Sequence, residues 1–242
     1  MAAGNTESGN MVAPNPSIKK TLWSEMDWLL PEMVTEEATW KNCKLLGSRL
    51  DSETDIKCRK AQACAAMSKL KSIFSSKHLS IATKIKQFST YVSTIFLYNS
   101  ELWALTQTDE KHIDSFHRRL LRQAINKKWP KKQCTNEELY SMTQQIPWSV
   151  TIKKRRLSWA GHLMRLNERT PARIALNKFA EPQKNKVGRP KTTWLATIKR
   201  DLKEKEMPKD NQKFIIKLGE MTSDRLEWNG LVNGVCGMVR KD

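Results

Sequence analysis

No two aspartates stand side by side anywhere in this chain, no Gly-rich loop precedes a helical pattern, and no cysteines are paired at C-x-x-C spacing. The first absence removes the paired carboxylates that a two-metal phosphoryl-transfer site requires, and the second removes a backbone cradle for nucleotide phosphates. The third, with no histidine at finger spacing, removes a zinc module. Cys43, Cys58, Cys64, Cys134 and Cys236 are odd in number and scattered, so reduced thiols are expected rather than a disulfide framework. No apolar run approaches the roughly 18 residues that cross a bilayer. The polar stretch from Met1 to Pro16 lacks the apolar centre of a secretory signal and the Arg-rich pattern of a transit peptide. An intracellular protein, in the nucleus and/or the cytoplasm and without a membrane partner, is therefore expected.

The remaining carboxylates suit structural work. Asp51 with Glu53 and Asp55, Asp109-Glu110, and Asp224 with Glu227 fall at predicted helix starts, where they favour the macrodipole or cap the first turn. His78, His112, His117 and His162 have no partner at ligand spacing and read as surface or packing residues. No catalytic residue, metal or cofactor is expected.

What the chain has in excess is positive charge: a formal net +18 over 242 residues, with 28% charged and only 39% hydrophobic residues. A field of that size repels its own parts unless a polyanion neutralises it, and nucleic acid is the default polyanion. The modest apolar content suits small helical units with extensive wet surface rather than one thick core.

Three regions follow from the pattern. Residues 1–40 begin with a Gly-, Asn-, Ser- and Pro-rich stretch and continue as an acidic segment holding Trp23, Trp28 and Trp40, with too little apolar content for a core. Residues 41–130 read as a helical bundle. The alternation from Lys44 to Leu50 allows a short β-hairpin near residues 42–50, and Ser52-x-x-Asp55 signals a helix start. Ile56, Ala63, Met67, Leu70 and Phe74 then recur at helical steps, with Lys57, Arg59, Lys60, Lys69 and Lys71 on other faces. A second stripe uses Ile81, Ile85, Phe88, Val92 and Ile95 and runs on to Trp103. A third, capped by Thr108, carries Ile113, Phe116, Leu120 and Ile125. Residues 131–242 form a basic helical region: a short helix near Asn136, a break at Pro147, and a basic helix from Ser149 to Leu166. A loop from Pro171 to Pro190, a helix capped by Thr192 or Thr193, and helices near Phe214 and after Asp224 complete it. The fold class is thus mainly α.

Two clusters concentrate the cations. Lys153, Lys154, Arg155 and Arg156 occupy one helical turn, followed by Arg165, with Trp159 and His162 interleaved. Four adjacent cations spread almost all round a helix, so they cannot all pair with carboxylates inside one domain, and phosphates are the economical counterions. Arginine forks phosphate oxygens and aromatic rings stack on bases, which favours nucleic acid over a solvated charged face. The other cluster, Arg118, Arg119, Arg122, Lys127, Lys128, Lys131 and Lys132, surrounds Trp129. Gly188-Arg189-Pro190-Lys191 is either half of an AT-hook, with Arg189 and Lys191 reaching a minor groove, or a basic loop entering the next helix.

The order of motifs resembles the C-terminal part of LINE-type, non-long-terminal-repeat retrotransposon reverse transcriptases of the endonuclease-reverse transcriptase kind. The resemblance is carried by Lys44-Leu45-Leu46-Gly47-Ser48, by Phe96 through Trp103, by Phe116 through Arg122, and by Trp129-Pro130-Lys131-Lys132 with Asn136-Glu137-Glu138-Leu139. It continues through Arg155 to Arg165, Gly188 to Trp194, and Asp224 through Trp228, so it spans about four fifths of the chain. Leu45 stands where that family often has Tyr, Asn99 where Gly is common, and Asn229 where Arg often follows the tryptophan.

The resemblance implies a thumb-like helical bundle followed by a second basic unit that grips a template-primer duplex of RNA and DNA by its backbone. The family's palm signature of the Phe-Ala-Asp-Asp type and its endonuclease are not in this sequence, so the chain is expected not to polymerise on its own. By carry-over, Arg118, Arg119, Arg122 and Lys153 through Arg156 are the expected backbone contacts. Two rivals remain open at this point: a subunit of an active RNA-directed DNA polymerase whose palm-containing reverse transcriptase chain is separate, or a non-functional retroelement relic.

Overall fold

The computed structural model describes residues 44–126, 134–181, 192–202 and 207–237. The acidic Trp-containing segment, Cys43, Trp129, Lys127, Lys128, Lys131, Lys132, Arg189 and Lys191 lie outside the described residues. The described chain is mainly helical with one small antiparallel hairpin, and none of its helices is long and apolar enough to cross a membrane.

The hairpin pairs β1 (Lys44–Leu45) with β2 (Ser48–Arg49) in the register Lys44 to Arg49 and Leu45 to Ser48. Its two turn residues, Leu46 and Gly47, both have positive φ, 47° and 84°, as a tight hairpin turn that matches strand twist demands. Two-residue strands do not stand alone in water. These are held by Arg59, whose Nη2 donates to Gly47 O at 2.6 Å and to Ser48 Oγ at 2.9 Å, and by Tyr98, whose hydroxyl donates to Leu46 O at 3.0 Å. Arg59 was expected on a basic outer face. It is buried instead, because it shares the stripe of Ile56, Ala63 and Met67.

Helix α1 (Ser52–Lys69) is capped by Asp51, which accepts from Thr54 N at 2.8 Å. Asp55 is therefore not a capping residue: it is buried and accepts from Trp103 Nε1 at 2.9 Å and Arg49 N at 3.0 Å, tying hairpin, helix and the Trp103 segment together. The helix ends at Leu70, and the short α2 (Lys71–Ser75) buries Phe74.

The second stripe forms α3 (Ile81–Gln87), a π-helical turn over Phe88–Ser93, and α4 (Thr94–Phe96). A π turn carries an additional residue, and beyond it the buried positions are Phe96 and Leu97, with Ile95 half-buried and Ile81 exposed at the other end. Asn99 then adopts φ 55°, a left-handed conformation that glycine and asparagine tolerate best, and a 3-10 turn (Ser100–Leu102) leads to Trp103.

Helix α5 (Gln107–Ala124) begins at Thr106, not Thr108, in a reciprocal capping box with Asp109. Helix α6 (Asn136–Thr143) repeats that device with Thr135 and Glu138. Pro147 caps α7 (Trp148–Arg165). The expected loop after Pro171 is a helix, α8 (Pro171–Ala180). A proline at the first helical position gives up no hydrogen bond, and Ala172, Ala175 and Leu176 are strong helix formers. Thr193 Oγ1 accepts from Ala196 N at 3.2 Å at the start of α9 (Trp194–Leu202); α10 (Asn211–Thr222) and α11 (Arg225–Val235) follow, each opened by an aspartate cap.

Two cores result. One gathers Phe88, Phe96, Trp103, Phe116, Leu120 and residues as late as Trp148 and Ile152. The other gathers Leu157, Leu163, Ile198, Phe214, Leu218 and Trp228. Helix α7 supplies its first half to one and its second half to the other, so it is the spine that fixes both.

Candidate nucleic-acid interface

Helix α5 places its carboxylates in its first half and its arginines in its second. Its carboxylates are spent on structure: Asp109 closes the capping box, Glu110 pairs with Arg200, and Asp114 accepts from Ser149 N at 2.9 Å and Ser149 Oγ at 2.6 Å, docking α7. Its three arginines sit one to two turns later, nearer the C-terminal end that the helix dipole favours for cations.

There Arg118, Arg119 and Arg122 meet Lys71 across an open groove of about 920 Å³ between α1, α2 and α5. Met67, Phe74 and Leu120 form the apolar floor, Ser68, Ser115 and Asn126 add neutral polar groups, and no Asp or Glu is among the described residues lining it. Arg119 lies over the Phe116 ring at 5.2 Å, and Arg122 Nη2 donates to Asn136 Oδ1 at 2.9 Å, so neither side chain is left to wander. Arg118 faces Tyr140, whose phenol is pushed up by burial while Arg118 pulls it the other way. A row of oriented cations without competing carboxylates binds phosphate oxygens at little ordering cost.

The α7 cluster divides. Arg156 is fully buried: Nε donates to Asp201 Oδ2 at 2.7 Å and Nη1 to Trp103 O at 3.0 Å. It is an internal ion-pair residue and not a phosphate contact, which corrects its place among the expected backbone contacts. Glu110 and Arg200 complete the network, and burial pushes the Glu110 carboxyl up despite the neighbouring guanidinium of Arg200. The signal was available in the spacing, since Arg156 stands midway between Ile152 and Ala160 on the buried arc.

Lys153, Arg155 and Arg165 each reach a backbone carbonyl: Val235 O at 3.5 Å, Leu97 O at 2.5 Å and Thr222 O at 3.1 Å, respectively. Arg155 and Arg165 stay exposed while anchored, and Lys153 and Lys154 are half-buried. Beside the two lysines, burial pushes the Cys236 thiol up, against the pull of their charge. Of the expected site residues, Arg118, Arg119 and Arg122 thus share one groove, which also takes in Lys71, a residue that no motif singled out.

His117 is a packing residue. Its ring is fully buried, stacked on Trp148 at 4.3 Å and 9° and near-parallel to Phe88 at 6.0 Å and 19°. Among the described residues no three His, Cys, Asp or Glu side chains converge as a metal site would need. Comparison with protein-family models, curated proteins and solved structures returned no match.

Proposed function

We propose that this chain is a sequence-nonspecific nucleic-acid binder that holds a template-primer duplex of RNA and DNA by its backbone, corresponding to the thumb and downstream region of a LINE-type reverse transcriptase without its catalytic centres. The observation that carries this reading is the groove in which Lys71, Arg118, Arg119 and Arg122 converge with no carboxylate among its described lining residues. Phosphate contacts of this kind position a duplex without reading its sequence, so little discrimination between sequences is expected. Each phosphate neutralised releases counterions, and with about four such phosphates the affinity should fall by about two orders of magnitude between 50 and 200 mM salt.

The order of motifs from Lys44 to Trp228 supplies the assignment to reverse transcriptases, and the lack of paired aspartates supports a chain that does not polymerise alone. Fluorescence anisotropy with an RNA/DNA hybrid duplex over a salt series tests the grip. Failure to bind at about 50 mM salt overturns it. Primer extension with magnesium tests the other half: extension at rates typical of a polymerase would show a catalytic centre and overturn the reading of an inactive piece.

A further inference from the structure

The outer face of α7 combines two features that a grip on phosphates does not need. Arg155, Trp159, His162 and Arg165 follow one another at steps of four, three and three residues, with Ser158 one turn after Arg155 and one turn before His162, and so share one side of the helix. All but Trp159 are exposed, and Trp159 is half-buried because its inner edge packs on the second core. Its ring stacks on His162 with centroids 5.2 Å apart and an interplanar angle of 30°. The helix itself contains no Asp or Glu.

Two exposed guanidiniums flank this aromatic pair, each fixed by one N–H to a carbonyl of a neighbouring segment, Arg155 to Leu97 O at 2.5 Å and Arg165 to Thr222 O at 3.1 Å. The face therefore presents an aromatic step, held rigid from below, between two oriented cations. An aliphatic or acidic partner would use only half of it. A π-face next to phosphates uses all of it, because a base stacks on the rings while Arg155 and Arg165 meet the backbone on either side.

We infer that the Arg155, Trp159, His162 and Arg165 face of α7 is a stacking platform for an unpaired nucleotide of single-stranded RNA or DNA, separate from the groove on α5. Bases in a duplex present only their edges, so this face selects a strand that is free or frayed. The inference goes beyond the duplex grip and does not depend on it.

The test compares a short single-stranded oligonucleotide with an abasic strand of the same phosphate count, by anisotropy on the purified chain. The base-containing strand should bind roughly five- to 150-fold more tightly, the range for one stacked base. His162→Ala and Trp159→Leu should each remove most of that preference, leaving binding of the abasic strand and of the hybrid duplex unchanged. Trp159→Leu retains an apolar group against the core, and His162→Ala touches only an exposed ring, so the second variant decides the matter where the first unfolds. Equal binding of base-containing and abasic strands by the unaltered chain overturns the platform, as does equally strong competition by polyglutamate. Loss of duplex binding with the base preference intact instead overturns the duplex grip and leaves the platform standing.

Discussion

Asp201 Oδ2 accepts from Nε of Arg156 at 2.7 Å in a place where neither side chain reaches water, joining α9 to α7 beneath the carbonyl of Trp103. Removing one partner of such a pair leaves an uncompensated buried charge, typically at a cost of about 3–5 kcal/mol. Arg156→Ala should therefore lower the unfolding free energy by that order, read from the shift of the urea midpoint, and Asp201→Ala should do the same. If Arg156→Ala left stability untouched but weakened duplex binding, the residue would be a phosphate contact after all.

Much of the helical framework was legible because apolar spacing and capping residues agree along the chain. Ile113, Phe116 and Leu120 mark α5, and Asp210 and Asp224 open the last two helices. Three things were not. The π turn at Phe88 redirects a stripe that a single helical period cannot describe. Helix α8 hides behind Pro171, which suggests a loop until it is recognised as a first helical position. The charge of Arg156 and Arg59 outweighed their place on a buried arc, because a tally of cations carries no information about which face each one occupies. The groove was half legible: three of its four cations lie on one helix, whereas Lys71 reaches it only through the packing of α2 on α5.

The groove predicts a separable effect on binding. Arg119 and Lys71 are both exposed, so Lys71→Ala with Arg119→Ala should melt within a degree or two of the parent, since surface substitutions of this kind change stability by about 0.5 kcal/mol or less. Hybrid-duplex affinity at low salt should fall, and the slope of log affinity against log salt should become shallower by about 0.9 for each phosphate that the double variant no longer neutralises. An unchanged slope would place the grip elsewhere.

Gly161 predicts a steric effect with no bearing on binding. A Cβ at this position would lie 2.3 Å from Trp228 Nε1 and 2.6 Å from its Cδ1, and that ring is buried with Nε1 donating to Leu157 O at 3.1 Å. A rigid ring held on both sides cannot yield as a flexible side chain would. Gly161→Ala should destabilise by about 1–3 kcal/mol through overpacking, read from the urea midpoint, with duplex affinity per folded molecule unchanged. A neutral result would mean that α11 can move away from α7.

His117 predicts how stability depends on pH. Burial, helped by the adjacent Arg118 charge, lowers its pKa from 6.5 to about 3, and neither ring nitrogen has a hydrogen-bond partner. The folded state therefore holds a neutral ring where the unfolded chain would take up a proton below about 6.5. Between those two pKa values the unfolded state binds more protons, so this residue's contribution is fully present above about pH 6.5 and is progressively lost as pH falls toward 3. At about 1.4 kcal/mol for each pKa unit the loss reaches several kcal/mol at the acid end. His117→Phe keeps a ring in the stack with Trp148 and Phe88 and removes the titrating group. Its melting temperature should then change less than that of the parent between pH 7.5 and pH 4.5, and the two curves should converge at neutral pH apart from a constant offset due to packing. Parallel curves across that range would mean that the ring is not held neutral in the folded protein, and that the acid sensitivity of the fold arises from its carboxylates.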